Sequence, residues 1–247
     1  MLKFLLHIIW LLLNWVELCV FTVLLYLLSF LPKFAYQAYY FYLFRVWCKI
    51  FINALGVNLK LHQKNLYRLP NRFILVSNHP SAFEDVGVPA LFNVLCLAKI
   101  EVADWWIVGR INRAVGTLFV KRESKESRHN IVFEMIKSVN EGKNIALYPE
   151  GGCKGRRLSE RFNYGAFHVS LKTGVPILPV FLHYECQDDF EWQPPFTLID
   201  KIWHMMTSKN PTANFYVYDV IDPKDFGSKQ EMTQNVYQKY VELNTPA

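Results

Sequence analysis

Hydrophobic positions in this chain change their spacing once, near Gly56. Residues 4–31 read FLLHIIWLLLNWVELCVFTVLLYLLSFL, an apolar run broken by His7, Asn14 and Glu17 and closed by Pro32 and Lys33. About 20 apolar residues cross a bilayer as a helix, so the run is long enough. A small-residue cleavage site and the short apolar core of a secretory signal are missing, which predicts that the segment is retained. Glu17 sits near its middle, where a carboxylate is costly in a bilayer. The next stretch, 34–55, is rich in aromatic rings and punctuated by Lys33, Arg45, Lys49 and Lys60, a pattern suited to an interfacial helix with snorkelling cations. The expectation for residues 1–55 is a hydrophobic helical membrane anchor, either one spanning helix or a hairpin dipping into one leaflet.

After Gly56 short apolar runs alternate with amphipathic stretches, the signature of strand and helix units. Candidate strands are 57–62, 73–77, 95–99, 117–122, 144–148, 177–183 and 214–220, and candidate helices 82–92, 127–140, 164–173 and 229–243. The third helix is closed by Gly174 and Pro176. Residues 185–212, with three prolines and mixed charge, read as a long irregular excursion. The fold class is therefore α/β, a mixed sheet flanked by helices over residues 56–247, preceded by the N-terminal anchor.

Composition narrows the function classes. With 52% hydrophobic and 19% charged residues, the 247-residue chain buries a sizeable core and is not disordered. Its formal charge is +6, from 27 Lys and Arg against 21 Asp and Glu, and the apolar and aromatic residues crowd toward the N-terminus. That combination fits an anionic lipid surface better than a nucleic acid. Five scattered cysteines, Cys19, Cys48, Cys96, Cys153 and Cys186, support neither a zinc site nor a disulfide framework, and no metal is expected.

The chemistry concentrates in Ser77-Asn78-His79-Pro80-Ser81-Ala82-Phe83-Glu84-Asp85. A strand ends at Ser77-Asn78 and a helix is predicted just after His79, with Ser81 and Glu84 as a capping box. His79 then stands at a strand-to-helix turn, where α/β folds expose reactive groups. Glu84, one turn into that helix, can reach back to the imidazole and fix its tautomer, a pairing of general base and orienting acid. Asp85 is the rival acid, but about 100° per residue of helix swings it away. Taken alone, a His and a Glu five apart are as consistent with local capping.

Three further blocks follow in order: Lys99-Ile100-Glu101 with Gly116 through Arg122, then Tyr148-Pro149-Glu150-Gly151, then Val175 through Pro179. With Asn78, His79 and Ser81 these resemble the glycerolipid acyltransferase family of the PlsC type, which includes bacterial 1-acylglycerol-3-phosphate acyltransferases, over roughly residues 56–185. Two departures stand out. Glu84 occupies the place of the family's Asp, and the third block continues Gly152-Cys153-Lys154 where Thr-Arg-Ser is usual, leaving Lys154, Arg156 or Arg157 to supply the charge.

The resemblance implies a membrane-bound O-acyltransferase of phospholipid biosynthesis. The acyl donor would be acyl-CoA or acyl carrier protein, and the leading acceptor the lysophospholipid 1-acyl-sn-glycerol-3-phosphate. No cofactor beyond the donor is implied. His79 and Glu84 would be catalytic, and Lys99, Arg122, Glu150 and Gly151 would bind substrate. For Glu150 two roles stay open, shaping the turn through backbone N–H groups or touching the glycerol hydroxyl. Oxyanion donors would come from backbone N–H groups near Gly151 or the start of the Ser81 helix. The expected location is a membrane, the inner one if the source is bacterial, with the domain facing the cytoplasm. The alternatives are another acceptor (glycerol 3-phosphate, a different lysophospholipid or a lyso-aminolipid) or a non-catalytic lipid-binding protein of the same fold. No Gly-x-Ser-x-Gly elbow supports a serine hydrolase.

Overall fold

Two long helices come first, α1 (Leu2–Leu28) and α2 (Lys33–Ala54), and strands alternate with helices after them. The order is β1 (Asn58–Gln63), β2 (Ile74–Ser77), α3 (Glu84–Leu91), β3 (Leu95–Lys99), α4 (Ile100–Ala103), α5 (Trp106–Val115), β4 (Leu118–Val120), α6 (Lys125–Asn140) and β5 (Ile145–Leu147). Then come α7 (Gly165–Thr173), β6 (Ile177–Tyr184), α8 (Gln187–Phe190), α9 (Leu198–Thr207), β7 (Thr212–Val217) and α10 (Lys229–Asn244). This computed structural model describes residues 2–192 and 195–244, without the side chains of residues 2–4, 7, 37 and 38. His7 of the apolar run, positions 193–194 of the 185–212 segment and residues 245–247 thus lie outside the description.

All seven predicted strands form, within a few residues of their expected limits, in one sheet of order β1-β7-β6-β2-β5-β3-β4. Every neighbouring pair is parallel except β6 with β7, so the sheet is mixed as expected. Strands β2 and β5 are buried at every position, which is why they read as continuous apolar runs rather than alternating ones. One core layer packs α2, α3 and α5 on one face of the sheet through Phe44, Val88 and Ile111. The other packs α6, α7 and α10 on the opposite face through Met135, Phe167 and Val236.

Four α-helices, α4, α5, α8 and α9, were not predicted. The supposed excursion at 185–212 contains α8 and α9, and α9 starts with a capping box in which Thr197 accepts the Asp200 N–H and Asp200 accepts the Thr197 N–H. Pro195 precedes that cap and Pro211 follows the helix, so these prolines bound it instead of breaking it. Helix α5 fills 106–115 and ends on Gly116, which takes the left-handed conformation at φ 91°. Within it, a Cβ on Gly109 would come 2.2 Å from the Ala103 carbonyl oxygen, so only glycine lets α5 turn so tightly against α4.

Helices α1 and α2 pack antiparallel. The Tyr40 hydroxyl donates to the Leu25 carbonyl (2.9 Å), and Trp47 Nε1 donates to Thr22 Oγ1 (2.7 Å). Leu11 lies 3.3 Å from where a Gly56 Cβ would sit, so the contact runs over more than half of α1. The other side of α2 packs on α3 and α5, and Arg45 Nε donates to the Pro89 carbonyl (3.0 Å). The outer face of α1 stays open, with Leu12, Leu13, Val16, Val20 and Leu27 all more than half exposed. Ile8–Leu28 is a 21-residue helical stretch of mean hydropathy 2.2, long and apolar enough to cross a membrane.

Tyr240 on α10 ties β2 to β6 near the carboxyl end of β2. Its buried hydroxyl accepts from the Val180 N–H (3.1 Å) and donates to the Val76 carbonyl (2.6 Å). Tyr240→Phe leaves both backbone groups without that partner and should lower the unfolding free energy by about 1–3 kcal/mol. Urea denaturation of the two proteins side by side checks it, and an unchanged midpoint would refute the bridging role.

Candidate active site

Strands β2, β5, β3 and β4 lie in that order and parallel, so their carboxyl ends open along one edge of the sheet. Open α/β sheets bind ligands at that edge. His79 follows β2, Glu150 and Gly151 follow β5, Lys99 closes β3, and Arg122 follows β4. The residues singled out in the sequence thus come to one rim.

The loop carrying His79 is fixed on both sides. Asn78 extends the β2–β6 pairing with its side chain, which donates to the Leu182 carbonyl (2.9 Å) and accepts from the Leu182 N–H (2.8 Å). The His79 N–H donates to Glu150 Oε1 (2.7 Å), and its carbonyl accepts from the Lys154 N–H (3.1 Å). The capping box expected at Ser81 and Glu84 forms only in part. Glu84 Oε1 accepts the Ser81 N–H (2.8 Å), but the Ser81 hydroxyl donates to the Phe190 carbonyl (2.6 Å) and accepts from Phe83 N–H (3.2 Å). A turn therefore intervenes and α3 begins at Glu84 itself, later than predicted, because α8 draws the serine away.

The turn brings Glu84 Oε2 to 3.8 Å from His79 Nδ1, and neither atom has a partner at hydrogen-bond distance. Glu84 is wholly buried and His79 6% exposed. Beyond 3.5 Å the contact is electrostatic rather than a hydrogen bond, a small shift short of one. The ring stacks on Tyr148, centroids 4.1 Å apart and planes 12° from parallel. Its other nitrogen, Nε2, lies 3.3 Å from Cys153 Sγ, and Cys153 also donates to the Ser81 carbonyl (3.1 Å). Sequence reasoning missed Cys153. Its position two residues past Glu150-Gly151, where the resembling turn carries arginine, was the available signal.

Glu150 uses both oxygens on the backbone, Oε1 on His79 and Oε2 on the Ser159 N–H (2.9 Å), the turn-shaping arrangement of the two considered for it. Gly151 sits at φ 77° and a Cβ there would come 2.7 Å from Asn163 Nδ2, so the turn requires glycine. The Gly151 N–H is taken by the Tyr148 carbonyl and the Ser81 N–H by Glu84, whereas the N–H groups of Gly152 and Cys153 donate to no acceptor among the described residues. Arg122 Nη1 approaches the same turn, 3.5 Å from a Cβ placed on Gly152. Lys99 pairs with Glu101 (2.9 Å), both half exposed. Of the cations that follow the turn, Arg156 is committed to Glu191 (2.7 Å) and Asp188, while Lys154 and Arg157 are exposed.

Burial opposes charge on His79, but Cys153 and Glu84 outweigh it and raise the imidazole well above the usual histidine value of 6.5. Burial pushes the Cys153 thiol up, with His79 pulling the other way. Asp85 keeps an accessible side chain, but the apolar walls around it weaken its solvation and bring it from 3.8 to about 6, against the nearby His79 and Arg122 charges. It borders an apolar cavity of about 200 Å³ walled by Phe44, Trp47 and Phe51 of α2, Val108 of α5 and Met205 of α9. Ala82 and Phe83 line the same cavity, so it reaches the turn after His79, though not the ring itself. Among the described residues no group of three His, Cys, Asp or Glu could hold a metal ion.

A histidine and a buried acid at the carboxyl edge of an α/β sheet, next to an apolar cavity, form a pair chemically able to accept and pass on a proton. The chain belongs to the Acyltransferase family, whose model matches residues 58–183. It is similar to a lysophosphatidylcholine acyltransferase of Drosophila melanogaster, 30% identical over 48% of this chain and 22% of that protein. It is also similar to a lyso-ornithine lipid O-acyltransferase of Pseudomonas aeruginosa, 30% identical over 49% and 46%, and to a 1-acyl-sn-glycerol-3-phosphate acyltransferase of Neisseria gonorrhoeae, 24% identical over 47% and 45%. The chain thus spans less than half the length of these curated relatives in the matched stretch. The crystal structure of the 1-acyl-sn-glycerophosphate acyltransferase PlsC from Thermotoga maritima shares the fold, with a TM-score of 0.65, 19% identity and coverage of 98% of this chain and 97% of that one.

Because the folded protein favours protonated Asp85, that preference stabilises it fully below about pH 4 and is lost as pH rises through about 6. Asp85→Asn should therefore gain stability relative to the native protein between pH 4 and 7. Thermal melts across that range test this, and a constant difference would show that Asp85 is not held protonated.

Proposed function

We propose that this protein transfers a fatty acyl group from an acyl thioester, acyl-CoA or acyl carrier protein, to the hydroxyl of a lysophospholipid, foremost 1-acyl-sn-glycerol-3-phosphate. The observation that carries the reading is the His79–Glu84 couple, held at the sheet's carboxyl edge where the apolar cavity ends. His79 Nε2 takes the proton of the attacking group, and Glu84 orients the ring and supports its charge. The unpaired N–H groups of Gly152 and Cys153 meet the oxyanion of the tetrahedral intermediate. The acyl chain lies in the cavity, while Arg122 holds the acceptor phosphate bidentately and Lys99 adds a point charge. Glu150 and Gly151 act by shaping the turn that meets the substrate.

The names of the relatives support an acylated lipid acceptor. A second reading, a lyso-aminolipid acceptor, draws on two cations at the rim being already paired, Lys99 with Glu101 and Arg156 with Glu191 and Asp188. The membrane is the proposed site of action. The antiparallel packing of α1 along α2, which is itself wedged against the domain, favours a hairpin in one leaflet over a free spanning helix. Acyl thioesters are made in the cytoplasm, so the domain faces that side.

The full chain, purified in detergent and offered a panel of acceptors with product identified by mass spectrometry, should form ester with one acceptor class. His79→Ala should slow that reaction by about 10² to 10⁴-fold. The acid limb of kcat/KM should lie above pH 6.5, since His79 must lose its proton to act, and Glu84→Gln should move it lower. Full activity in His79→Ala removes the dyad.

Vesicle flotation tests the anchor. With Val16→Asp and Val20→Asp on the open face of α1, the protein should stay behind when phosphatidylglycerol-containing vesicles float, whereas the native chain rises with them. Equal flotation of the two would place membrane binding elsewhere.

A further inference from the structure

Asp85 is the acid of the apolar cavity, and its carboxylate has unused bonding capacity. Asn112 and Thr117 line the cavity too, but Thr117 Oγ1 donates to Asn112 Oδ1 (2.9 Å) and Asn112 Nδ2 to the Val108 carbonyl (2.9 Å). No described residue donates a hydrogen bond to the Asp85 carboxylate or stands at ion-pair distance from it. The side chain is exposed although protein surrounds it, because the cavity lies in front of it. The remaining walls are largely rings and aliphatic groups, Phe44, Trp47, Phe51 and Met205 among them. A carboxylate without a partner is costly in such surroundings, and a plain hydrocarbon chain laid against it would only remove the water that reaches it.

We propose that Asp85 is a specificity-determining residue that selects an acyl chain bearing a hydroxyl group within a few carbons of the thioester, its carboxylate accepting the hydroxyl hydrogen. The proposal rests on the acyl-transfer reading, in which the cavity holds the donor's chain, and it narrows the class of that donor. The position follows from where Asp85 stands. Ala82, Phe83 and Asp85 belong to the segment that follows His79, so they wall the end of the cavity next to the catalytic couple. Phe51 and Leu55 of α2 and Leu198 and Met205 of α9 are left to receive the rest of the chain.

The chemistry of the ligand group follows from the charges around the acid. With a pKa of about 6, Asp85 is mostly ionised at neutral pH and can only accept hydrogen bonds, so its partner must donate one. A cationic donor would meet the charges of His79 and Arg122, both of which already act on Asp85, whereas a neutral hydroxyl meets no such repulsion. Weak solvation within the cavity strengthens a hydrogen bond to the carboxylate once it forms. Selection then works mainly against the plain chain, which strips water from the carboxylate and returns nothing to it. Glu84, one residue earlier, cannot take this part, since it is wholly buried against the Ser81 N–H and the His79 ring.

The test gives the full chain in detergent, with the acceptor it esterifies, a series of donors assayed one at a time as CoA or acyl carrier protein thioesters. The series is hexadecanoyl, 2-hydroxyhexadecanoyl, 3-hydroxyhexadecanoyl and, as a control for position, the chain hydroxylated at its far end. The native protein should favour the 2- or 3-hydroxy donor over both the plain and the end-hydroxylated chain by about 10- to 100-fold in kcat/KM. Asp85→Leu should reverse that order, raising kcat/KM for the plain chain and lowering it for the hydroxylated one. Asp85→Asn, of the same shape and still an acceptor, should fall between the two and carries the assignment to Asp85 if the leucine variant does not fold. Equal use of plain and hydroxylated chains by the native protein overturns the inference, as does an equal preference for the end-hydroxylated chain or an unchanged ranking in the variants. In each of those cases ester still forms and the acyltransferase reading stands. No ester from any donor with any acceptor overturns that reading itself.

Discussion

The Glu150 carboxylate is the joint on which the site depends. One oxygen takes the His79 N–H and the other the Ser159 N–H, while the His79 carbonyl takes the Lys154 N–H. Two loops from neighbouring parallel strands are thereby locked together at the point where both leave the sheet. Parallel strands separated by 67 residues of chain have no local way to hold their ends in register, so a buried carboxylate accepting backbone N–H groups supplies it. Asn78 makes the matching connection to β6 on the other side.

Inside that frame His79 and Glu84 are buried, and burial sets their electrostatics. A lone imidazole so deeply buried would stay neutral, but a carboxylate with no solvent to screen it and a sulfur on the opposite nitrogen reverse the balance. The charge that forms on His79 when it accepts a proton is therefore supported from the first moment, without reorganising water. The adjacent Asp85 has no such supporting geometry, and its apolar surroundings push its pKa up. Two neighbouring acids on one helix start thus differ in role because one points at the ring and the other borders the cavity.

Helix α2 belongs to two structures at once. Its aromatic side chains Phe44, Trp47 and Phe51 wall the apolar cavity, and its opposite side carries α1, whose own outer face is left uncovered. An exposed apolar face of that length is unusual in a protein surrounded by water. The helix with the open apolar face and the helix that walls the cavity are therefore packed against each other.

Much of this was written in local pattern. The apolar run at 4–31, the seven strands and the helices at 127–140, 164–173 and 229–243 rest on spacing and stop signals that neighbouring residues carry among themselves. The ordered motifs likewise marked His79, Glu84, Lys99, Arg122, Glu150 and Gly151, and strand topology gathers them because each lies at a strand's carboxyl end. What only tertiary structure decided are contacts between distant segments. Phe190 takes the Ser81 hydroxyl and dissolves half the predicted capping box, and the Thr197 cap makes a helix inside an apparent loop. The Glu101 pairing engages Lys99, and the turn after β5 delivers Cys153 to the imidazole. A sequence window records how often a residue favours a local shape, but His79 and Cys153 meet at 3.3 Å from positions 74 residues apart, and only the folded chain sets that distance.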